Sequence, residues 1–155
     1  MPQITRFIGN GRPWSVERAH VVAAEKREHW SRHGFGWRAA VEHASGRSVG
    51  IMSANLVGVG TTGVDPSDHE IGWWVDPAVW GRGLAREGAC ALCEELFEVV
   101  GAASVVARIQ PGNAASIRVA ERTGLRYEAL TTGLFGEAVA VYRLTAVEWR
   151  CGAGA

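Results

Sequence analysis

The chain has 155 residues, which suits a single domain, and 47% of them are hydrophobic, enough for a buried core. Its 16 Lys and Arg residues are balanced by 16 Asp and Glu residues, so the formal net charge is zero. Because no basic excess is present to neutralise phosphates, nucleic-acid binding is disfavoured. No apolar run reaches the roughly 18 residues of a membrane span, and the N-terminus lacks a signal-peptide core. We therefore expect a cytoplasmic protein that does not bind membranes.

The cysteines indicate neither a disulfide framework nor a metal site. They are sparse and odd in number, Cys90, Cys93 and Cys151, and without an export signal they favour a reducing compartment. Cys90 and Cys93 form a CxxC pair inside a predicted helix, with no second pair to complete a metal site. Cys151 begins the segment 151–155 (CGAGA), which we expect to be a flexible tail on a single domain covering 1–155.

The first half of the chain predicts one helix followed by three strands. Ser15 is a typical N-cap, and apolar residues at helical spacing continue the helix to about Arg32. Residues 37–41 (WRAAV) and 48–57 (SVGIMSANLV) predict a hairpin. After a loop rich in Gly, Thr and Pro, residues 70–75 (EIGWWV) predict a strand that is too apolar to have a solvated face and is therefore central.

The second half predicts a helix, a strand, a second helix and two closing strands. These elements cover residues 82–100, 104–109, 114–123, 125–130 and 138–144. The complete order, α-β-β-β-α-β-α-β-β, is typical of a mixed α/β or α+β sheet with helices on its faces.

A glycine-bracketed turn joins the central strand to the long helix within WVDPAVWGRGLAREG (74–88). A helix start presents unpaired backbone N–H groups and the positive end of the helix dipole, and Gly81 and Gly83 let the backbone approach an anion closely. The pattern therefore predicts a phosphate cradle, with a well-capped tight turn as the plain structural alternative. It matches neither a P-loop nor a GxGxxG dinucleotide motif.

Residues 36–144 resemble the GNAT family of acetyl-CoA-dependent N-acetyltransferases. The likeness is carried by EIGWWVDPAVWGRGLAREG (70–88) and PGNAASIRVAERTGLRY (111–127). The family pattern Gln/Arg-x-x-Gly-x-Gly/Ala reads Trp80-Gly81-Arg82-Gly83-Leu84-Ala85 here. A tryptophan in its first position is familiar in the RimJ/RimL-like branch, which the sequence resembles most. This branch acetylates the N-termini of ribosomal proteins and includes many small-molecule acetylases.

The resemblance implies a GNAT-like fold with a mixed, mostly antiparallel sheet and helices on both faces. Family members usually carry a strand and a helix ahead of the segment that resembles TRFIGNGRPWS (5–15), whereas the initial methionine falls almost on that segment here. Either the true start lies upstream, or the fold lacks its usual first strand, as we expect. In the second case the exposed sheet edge would be covered by a partner subunit in a homodimer.

The resemblance also implies acetyl-CoA as the cofactor. Its pyrophosphate would bind the backbone N–H groups of the turn and the helix start, and the side chains of Arg82 and Arg86 would add positive charge. The residues in that cradle are Gly81, Arg82, Gly83, Leu84, Ala85 and Arg86.

In family members the pantetheine of acetyl-CoA lies in a splayed gap between two parallel strands, here 70–75 and 104–109. Trp74 and Val75 would border it, and the backbone N–H near Val75 would donate to the oxyanion. Asn113 and Ser116 would contact the pantetheine from the second motif.

For proton transfer, relatives place a general acid at a position matching Ser116, whereas many other GNAT enzymes place a tyrosine at a position matching Tyr127. Glu70 is the candidate general base, acting through a water molecule. Water alone is an alternative, and so are the histidines near the same elements. These histidines are His33, His43 and His69.

The function implied is acetyl transfer to a primary amine by direct attack on the thioester in a ternary complex. The acceptor would be a protein N-terminus, an amino acid or a small-molecule amine. The alternative is a non-catalytic acyl-CoA-binding or sensing module on the same fold, which turnover with a panel of amines would distinguish.

Overall fold

The computed structural model describes residues 2–153, in which six strands form one sheet in the order β1-β2-β3-β4-β6-β5. Neighbouring strands are antiparallel except β3 and β4, which are parallel. The mixed, mostly antiparallel sheet predicted from the sequence is confirmed. The strands are β1 (Arg38–Val41), β2 (Ser48–Leu56), β3 (His69–Val75), β4 (Ser104–Ile109), β5 (Arg126–Thr132) and β6 (Ala138–Thr145).

Five α-helices accompany the sheet in the described residues. They are α1 (Pro2–Thr5), α2 (Val16–His33), α3 (Leu84–Glu94), α4 (Ala114–Thr123) and α5 (Ala146–Ala153). Ser15 caps α2 as expected, since its side chain accepts a hydrogen bond from the Arg18 N–H. A 3₁₀ turn (Pro77–Val79) precedes α3, and a π-helical stretch (Glu95–Val100) follows it.

The two faces of the sheet have different partners. Directly opposed residues of antiparallel strands share a face, so Met52 lies beside Trp73, on the side covered by α3. Gly88 of α3 permits this close approach, because a Cβ there would clash with the Met52 sulfur. Asn55 and Glu70 share the opposite face, where Lys26 of α2 reaches Asn55. Helices therefore contact both faces, as expected.

Several element boundaries differ from the sequence-based prediction, most of them by one or two residues. The predicted helix 82–100 begins only at Leu84, because Gly83 has a left-handed conformation and acts as the N-cap. The central strand begins one residue early, at His69. Residues 151–153 belong to α5, which the sequence analysis treated as the start of a flexible tail, and the rest of that tail lies outside the described residues. Trp149 anchors α5 by packing on Phe97, with ring centroids 5.7 Å apart.

The part of the chain before β1 carries α1 and α2 and, within residues 2–37, no strand. The sheet edges are consequently β1 and β5. Among the described residues, no helix is both long enough and apolar enough to span a membrane. The described part of the chain also holds no cluster of three or more potential metal-ligating side chains.

Candidate active site

The parallel strands β3 and β4 separate soon after they pair. Their register covers only His69 with Val105 and Glu70 with Val106. Beyond Glu70 the two strands diverge, although β3 continues to Val75 and remains paired with β2 along its full length. A gap therefore opens in the middle of the sheet, where the sequence analysis expected it.

Backbone donors of β3 point into this gap. The Asp76 N–H donates to the Val49 carbonyl at 2.8 Å, which makes Gly50 and Val75 a non-hydrogen-bonded pair of the ladder. The N–H of Val75 is therefore directed away from β2, towards the gap. The ladder alternates, so the N–H of Trp73 has the same direction.

A cleft of about 1520 Å³ extends from the gap to both sides. One end is bordered by the glycine turn and by the start of α4. The other end is bordered by α1, α2 and Trp37, which lies between α2 and β1. The lining residues used below are Lys26, Trp37, Asn55, Glu70, Trp74, Val75, Trp80, Gly81, Gly83, Leu84, Ala85, Arg86, Arg108, Asn113 and Ser116.

The glycine turn has the geometry of an anion cradle. Gly81 and Gly83 have φ values of 79° and 81°, which residues with a side chain rarely adopt. Gly83 caps α3 without a side-chain hydrogen bond, and the Glu87 N–H donates to the Gly83 carbonyl. The N–H groups of the first turn, from Leu84 to Arg86, therefore have no intrahelical acceptor and lie at the cleft.

The two arginines proposed to add charge have protein partners. Arg82 forms an ion pair with Glu42 of the β1–β2 hairpin at 2.6 Å. The Arg86 Nε donates to the Arg122 carbonyl at the end of α4, at 3.1 Å. In this arrangement Arg82 also braces the turn, and Arg86, which borders the cleft, also joins α3 to α4.

Asn113 and Ser116 lie at the start of α4, across the gap from the turn. The Asn113 Oδ1 accepts a hydrogen bond from the Ser116 N–H at 3.2 Å and so caps the helix. Among residues 2–153, no hydrogen bond engages the Ser116 hydroxyl. The hydroxyl of a half-buried serine beside the gap is thus free for a ligand.

Tyr127 does not reach the cleft, so the sequence-based choice of Tyr127 as a general acid has no geometric support. It lies opposite Tyr142 in the β5–β6 ladder, and the two rings are in edge contact with centroids 5.9 Å apart. Tyr127 is 59% exposed, and Tyr142 belongs to the core packed under the helices. Directly opposed residues share a face, so Tyr127 lies on the edge strand β5 on the same face as Tyr142, and it is not among the residues that line the cleft.

Glu70 occupies the point at which β3 and β4 begin to separate. Its two carboxylate oxygens accept hydrogen bonds from Nε and a terminal nitrogen of Arg108, at 3.0 and 3.2 Å. Sequence reasoning missed Arg108, although a charged residue inside the apolar strand SVVARI was a signal for such a pair. Both residues line the cleft, so the carboxylate is accessible from it.

The histidines proposed as alternative bases lie elsewhere. His69 shares the face of β3 that carries Ile71, and its ring packs on Phe35 at 5.4 Å. Burial lowers the pKa of His69. His33 contacts the same phenylalanine, with centroids 6.0 Å apart. Neither these two nor His43 borders the cleft described above.

Comparison with known proteins agrees with this geometry. Residues 1–126 match the model of the acetyltransferase (GNAT) domain. The chain is similar to the uncharacterized protein YkkB of Bacillus subtilis, with 32% identity over 126 residues, covering 76% of this chain and 72% of the relative. It is 30% identical over 167 residues to an FsC-acetyl coenzyme A-N(2)-transacetylase of Aspergillus fumigatus, covering 96% of this chain and 66% of the relative.

A solved acetyltransferase from Agrobacterium tumefaciens has a similar fold. It superposes with a TM-score of 0.74 at 28% identity, covering 93% of this chain and 78% of that structure. The chain therefore belongs to the GNAT family and is an N-acetyltransferase. Acetyl-CoA is the acetyl donor of such an enzyme.

Proposed function

We propose that this protein transfers the acetyl group of acetyl-CoA to a primary amine by direct attack in a ternary complex. The observation that carries the proposal is the gap between β3 and β4, with the glycine turn at one end and Glu70 at its apex. A gap of this kind lets an extended thioester pair with strand backbone, while the helix start receives a phosphate.

The residues that border the cleft divide into two parts for this reaction. The N–H groups from Gly83 to Arg86 would hold the pyrophosphate, and the pantetheine would follow β3 towards Glu70, passing Trp74 and Asn113. The N–H of Val75, directed into the gap, would donate to the developing oxyanion, and Trp73 offers a second such donor.

Proton transfer completes the reaction. The acceptor ammonium would lose a proton to Glu70 through a water molecule, and the neutral amine would attack the thioester carbonyl. The C–S bond of the tetrahedral intermediate would then break. The leaving thiolate of coenzyme A would take a proton from the Ser116 hydroxyl, which makes no hydrogen bond within residues 2–153. The serine oxygen would recover a proton from the nitrogen of the tetrahedral intermediate, which leaves a neutral amide.

The proposal also covers the branch of the family with its acceptors, the cellular compartment and the oligomeric state. The Trp80 position and the order of the motifs favour the RimJ/RimL-like branch, for which protein N-termini, amino acids and small amines are the acceptors. We place the reaction in the cytoplasm. The free edges of β1 and β5 are suited to contact with a second copy of the chain in a homodimer.

The test combines ligand binding and turnover. Acetyl-CoA at a hundredfold excess over its Kd should stabilise the folded protein by about 2.7 kcal/mol in thermal unfolding. Gly83→Glu should remove this shift, because the glutamate adds bulk and negative charge to the cradle and strains a turn whose φ of 81° favours glycine. A Cβ at this position meets no atom within 4 Å, so the variant should remain folded, which circular dichroism checks. An unchanged shift in that variant contradicts the cradle assignment.

The turnover assay follows the release of coenzyme A thiol with a panel of primary amines. Wild-type protein should release thiol only when an amine is present. Binding of acetyl-CoA without turnover of any amine would instead support the non-catalytic module and contradict the transferase.

A further inference from the structure

A cationic side chain without a carboxylate partner borders the end of the cleft that is formed by α1, α2 and the segment around Trp37. This end, opposite the glycine turn, is called the acceptor end. Lys26 projects from α2, and its Nζ donates to the Asn55 Oδ1 at 3.1 Å. It also lies over the Trp37 ring, 4.8 Å from the centroid. Across residues 2–153, no Asp or Glu oxygen comes within ion-pair distance of Nζ. An ammonium group has three donors, so two remain for a ligand.

The position of Lys26 is fixed by its neighbours. The Asn55 Oδ1 also accepts a hydrogen bond from the Trp37 indole Nε1 at 3.0 Å, so one amide oxygen orients both side chains. Burial lowers the pKa of Lys26, while the charges of Glu25 and Glu70 act on it from a greater distance and oppose that change. An unpaired, partly desolvated ammonium is a favourable partner for an anion.

The two carboxylates whose charges act on Lys26, Glu25 and Glu70, do not supply that anion, and Glu25 forms an ion pair with Arg18 at 3.8 Å. Asn55 is paired across the ladder with Glu70, so Glu70 is the closest carboxylate along the sheet. Both of its oxygens are occupied by Arg108, and the pair is neutral as a unit. The acceptor end therefore retains the positive charge of Lys26 beside the point at which the amine must be deprotonated. Arg6, which also borders this end of the cleft and lies over the Phe7 ring, adds a second positive charge.

Tryptophans form the adjacent wall. Trp37 stands between Trp14, at a centroid distance of 6.4 Å in a stacked arrangement, and Trp74, at 4.7 Å. All three border the cleft. A wall of indole rings favours a planar, apolar body, because aromatic surfaces bury large areas and stack on one another.

We propose that the acceptor is a small aromatic amine that also carries an anionic group, such as an aromatic amino acid, with Lys26 binding the anion and the Trp14–Trp37–Trp74 wall contacting the ring. This inference rests on the proposed acetyl transfer. The amine of such a molecule would lie towards Glu70, and its anionic group towards Lys26. Polycationic amines are disfavoured by the same charge.

The experiment compares phenylalanine with phenylalaninamide, in which a neutral amide replaces the carboxylate, and uses the phosphonate analogue of phenylalanine as a third acceptor. Because the amide also lowers the pKa of the amine, each rate is expressed per concentration of unprotonated amine. Initial rates of thiol release give kcat/KM for wild type, Lys26→Met and Lys26→Arg. Arg27→Met removes an exposed charge from the same helix and is the matched control. Calorimetry with phenylacetate, which lacks the amine, measures recognition of the anion without turnover.

Wild type should prefer phenylalanine over its amide by about tenfold or more in kcat/KM, the scale of one hydrogen bond to a charged group. Lys26→Met should lose this preference mainly through KM, Lys26→Arg should keep part of it, and Arg27→Met should match wild type. A preference for the phosphonate over phenylalanine would identify a phosphate-type anion as the recognised group and overturn the amino-acid assignment.

The inference and the proposed function fail differently. Equal rates with phenylalanine and its amide, or a preference that survives Lys26→Met, would overturn the inference and leave acetyl transfer intact. If acetyl-CoA binds but no amine is acetylated, the proposed function fails, and the calorimetry then decides on the site. Phenylacetate binding that is absent, or unchanged in Lys26→Met, would overturn the anion site as well.

Discussion

The indole Nε1 of Trp80 donates a hydrogen bond to the carbonyl oxygen of Val75 at 2.8 Å. The bond joins the end of the central strand to the start of the glycine turn. The Val75 carbonyl has no partner on β2, because Gly50 and Val75 form a non-hydrogen-bonded pair. Trp80 therefore fixes the distance between the proposed oxyanion donor and the proposed phosphate cradle.

Trp80→Phe should weaken acetyl-CoA binding. The substitution keeps an aromatic ring but removes the indole N–H donor, which is worth about 1 kcal/mol, together with part of the ring area, so Kd should rise by about three- to tenfold. Calorimetry with acetyl-CoA measures this change. Trp14→Phe, at the other end of the cleft, is the control and should bind acetyl-CoA like wild type. If Trp80→Phe bound acetyl-CoA with the wild-type Kd, the hydrogen bond from Trp80 to Val75 would not be needed to position the cradle.

Ser116→Ala should lower kcat by about 10- to 100-fold, within the range of a lost general acid, with little change in acetyl-CoA affinity. The cap of α4 should persist, because Asn113 accepts from the Ser116 backbone N–H rather than from its side chain. Steady-state kinetics with a turned-over amine give both constants. Tyr127→Phe is the paired control, since its hydroxyl lies outside the cleft. A comparable loss of kcat in Tyr127→Phe and none in Ser116→Ala would reverse the assignment.

Much of the fold could be predicted from the sequence, because it depends on contacts between residues that are close together along the chain. Ser15 and Asn113 are caps whose side-chain oxygens accept backbone N–H groups within three residues, and a sequence shows such contacts directly. The glycine turn is equally local, since positive φ at Gly81 and Gly83 requires glycine. The α5 helix was missed because its anchor, Trp149 on Phe97, is a tertiary contact.

The acceptor end of the cleft was much harder to predict from the sequence. Lys26, Trp37 and Asn55 come from a helix, the segment before β1 and a strand, and they converge only in the folded chain. Tyr127 was chosen because many GNAT enzymes carry a tyrosine at the matching position. Its place outside the cleft depends on the pairing of the edge strand β5 with β6, which is a tertiary arrangement that the sequence does not display.

Asp68→Asn should destabilise the protein and flatten its acid dependence. Burial alone would raise the pKa of Asp68, but hydrogen bonds from Arg143, Ser104 and the Asp65 N–H outweigh it and lower the value. A lowered pKa gives stability that is present above the unfolded value of 3.8 and lost as pH falls through the folded one. Chemical unfolding should show a loss of about 2–3 kcal/mol at pH 7, since this ion pair is largely but not fully buried.

Chemical unfolding of wild type and Asp68→Asn between pH 5 and pH 3 isolates the contribution of the Asp68 charge. Wild type should lose stability steeply near the acid end, whereas Asp68→Asn should do so less. Glu128→Gln, which removes the more exposed carboxylate that also accepts from Arg143, should cost less than Asp68→Asn. If Glu128→Gln cost more stability than Asp68→Asn, the exposed Glu128 rather than the buried Asp68 would be the main stabilising partner of Arg143.

The neutral form of His29 should make folding sensitive to mild acid. Its Nδ1 lies 2.9 Å from the Phe35 carbonyl, and its Nε2 accepts the Leu56 N–H at 3.3 Å, so the ring needs one protonated and one unprotonated nitrogen. Burial lowers the pKa of His29, the Phe35 carbonyl opposes this, and the charges of His33 and Lys26 lower it further.

A histidine with a lowered pKa binds fewer protons in the folded state, so stability should be complete above about pH 6.5 and fall as the unfolded chain takes up protons below it. Urea unfolding between pH 8 and pH 5 measures this slope. His29→Gln should be less stable than wild type at pH 8 and should show a shallower slope, because the Leu56 N–H keeps an acceptor that does not titrate. His20→Gln, at an exposed position of the same helix, should keep the wild-type slope. A wild-type slope in His29→Gln would assign the acid sensitivity to His69, whose pKa burial also lowers.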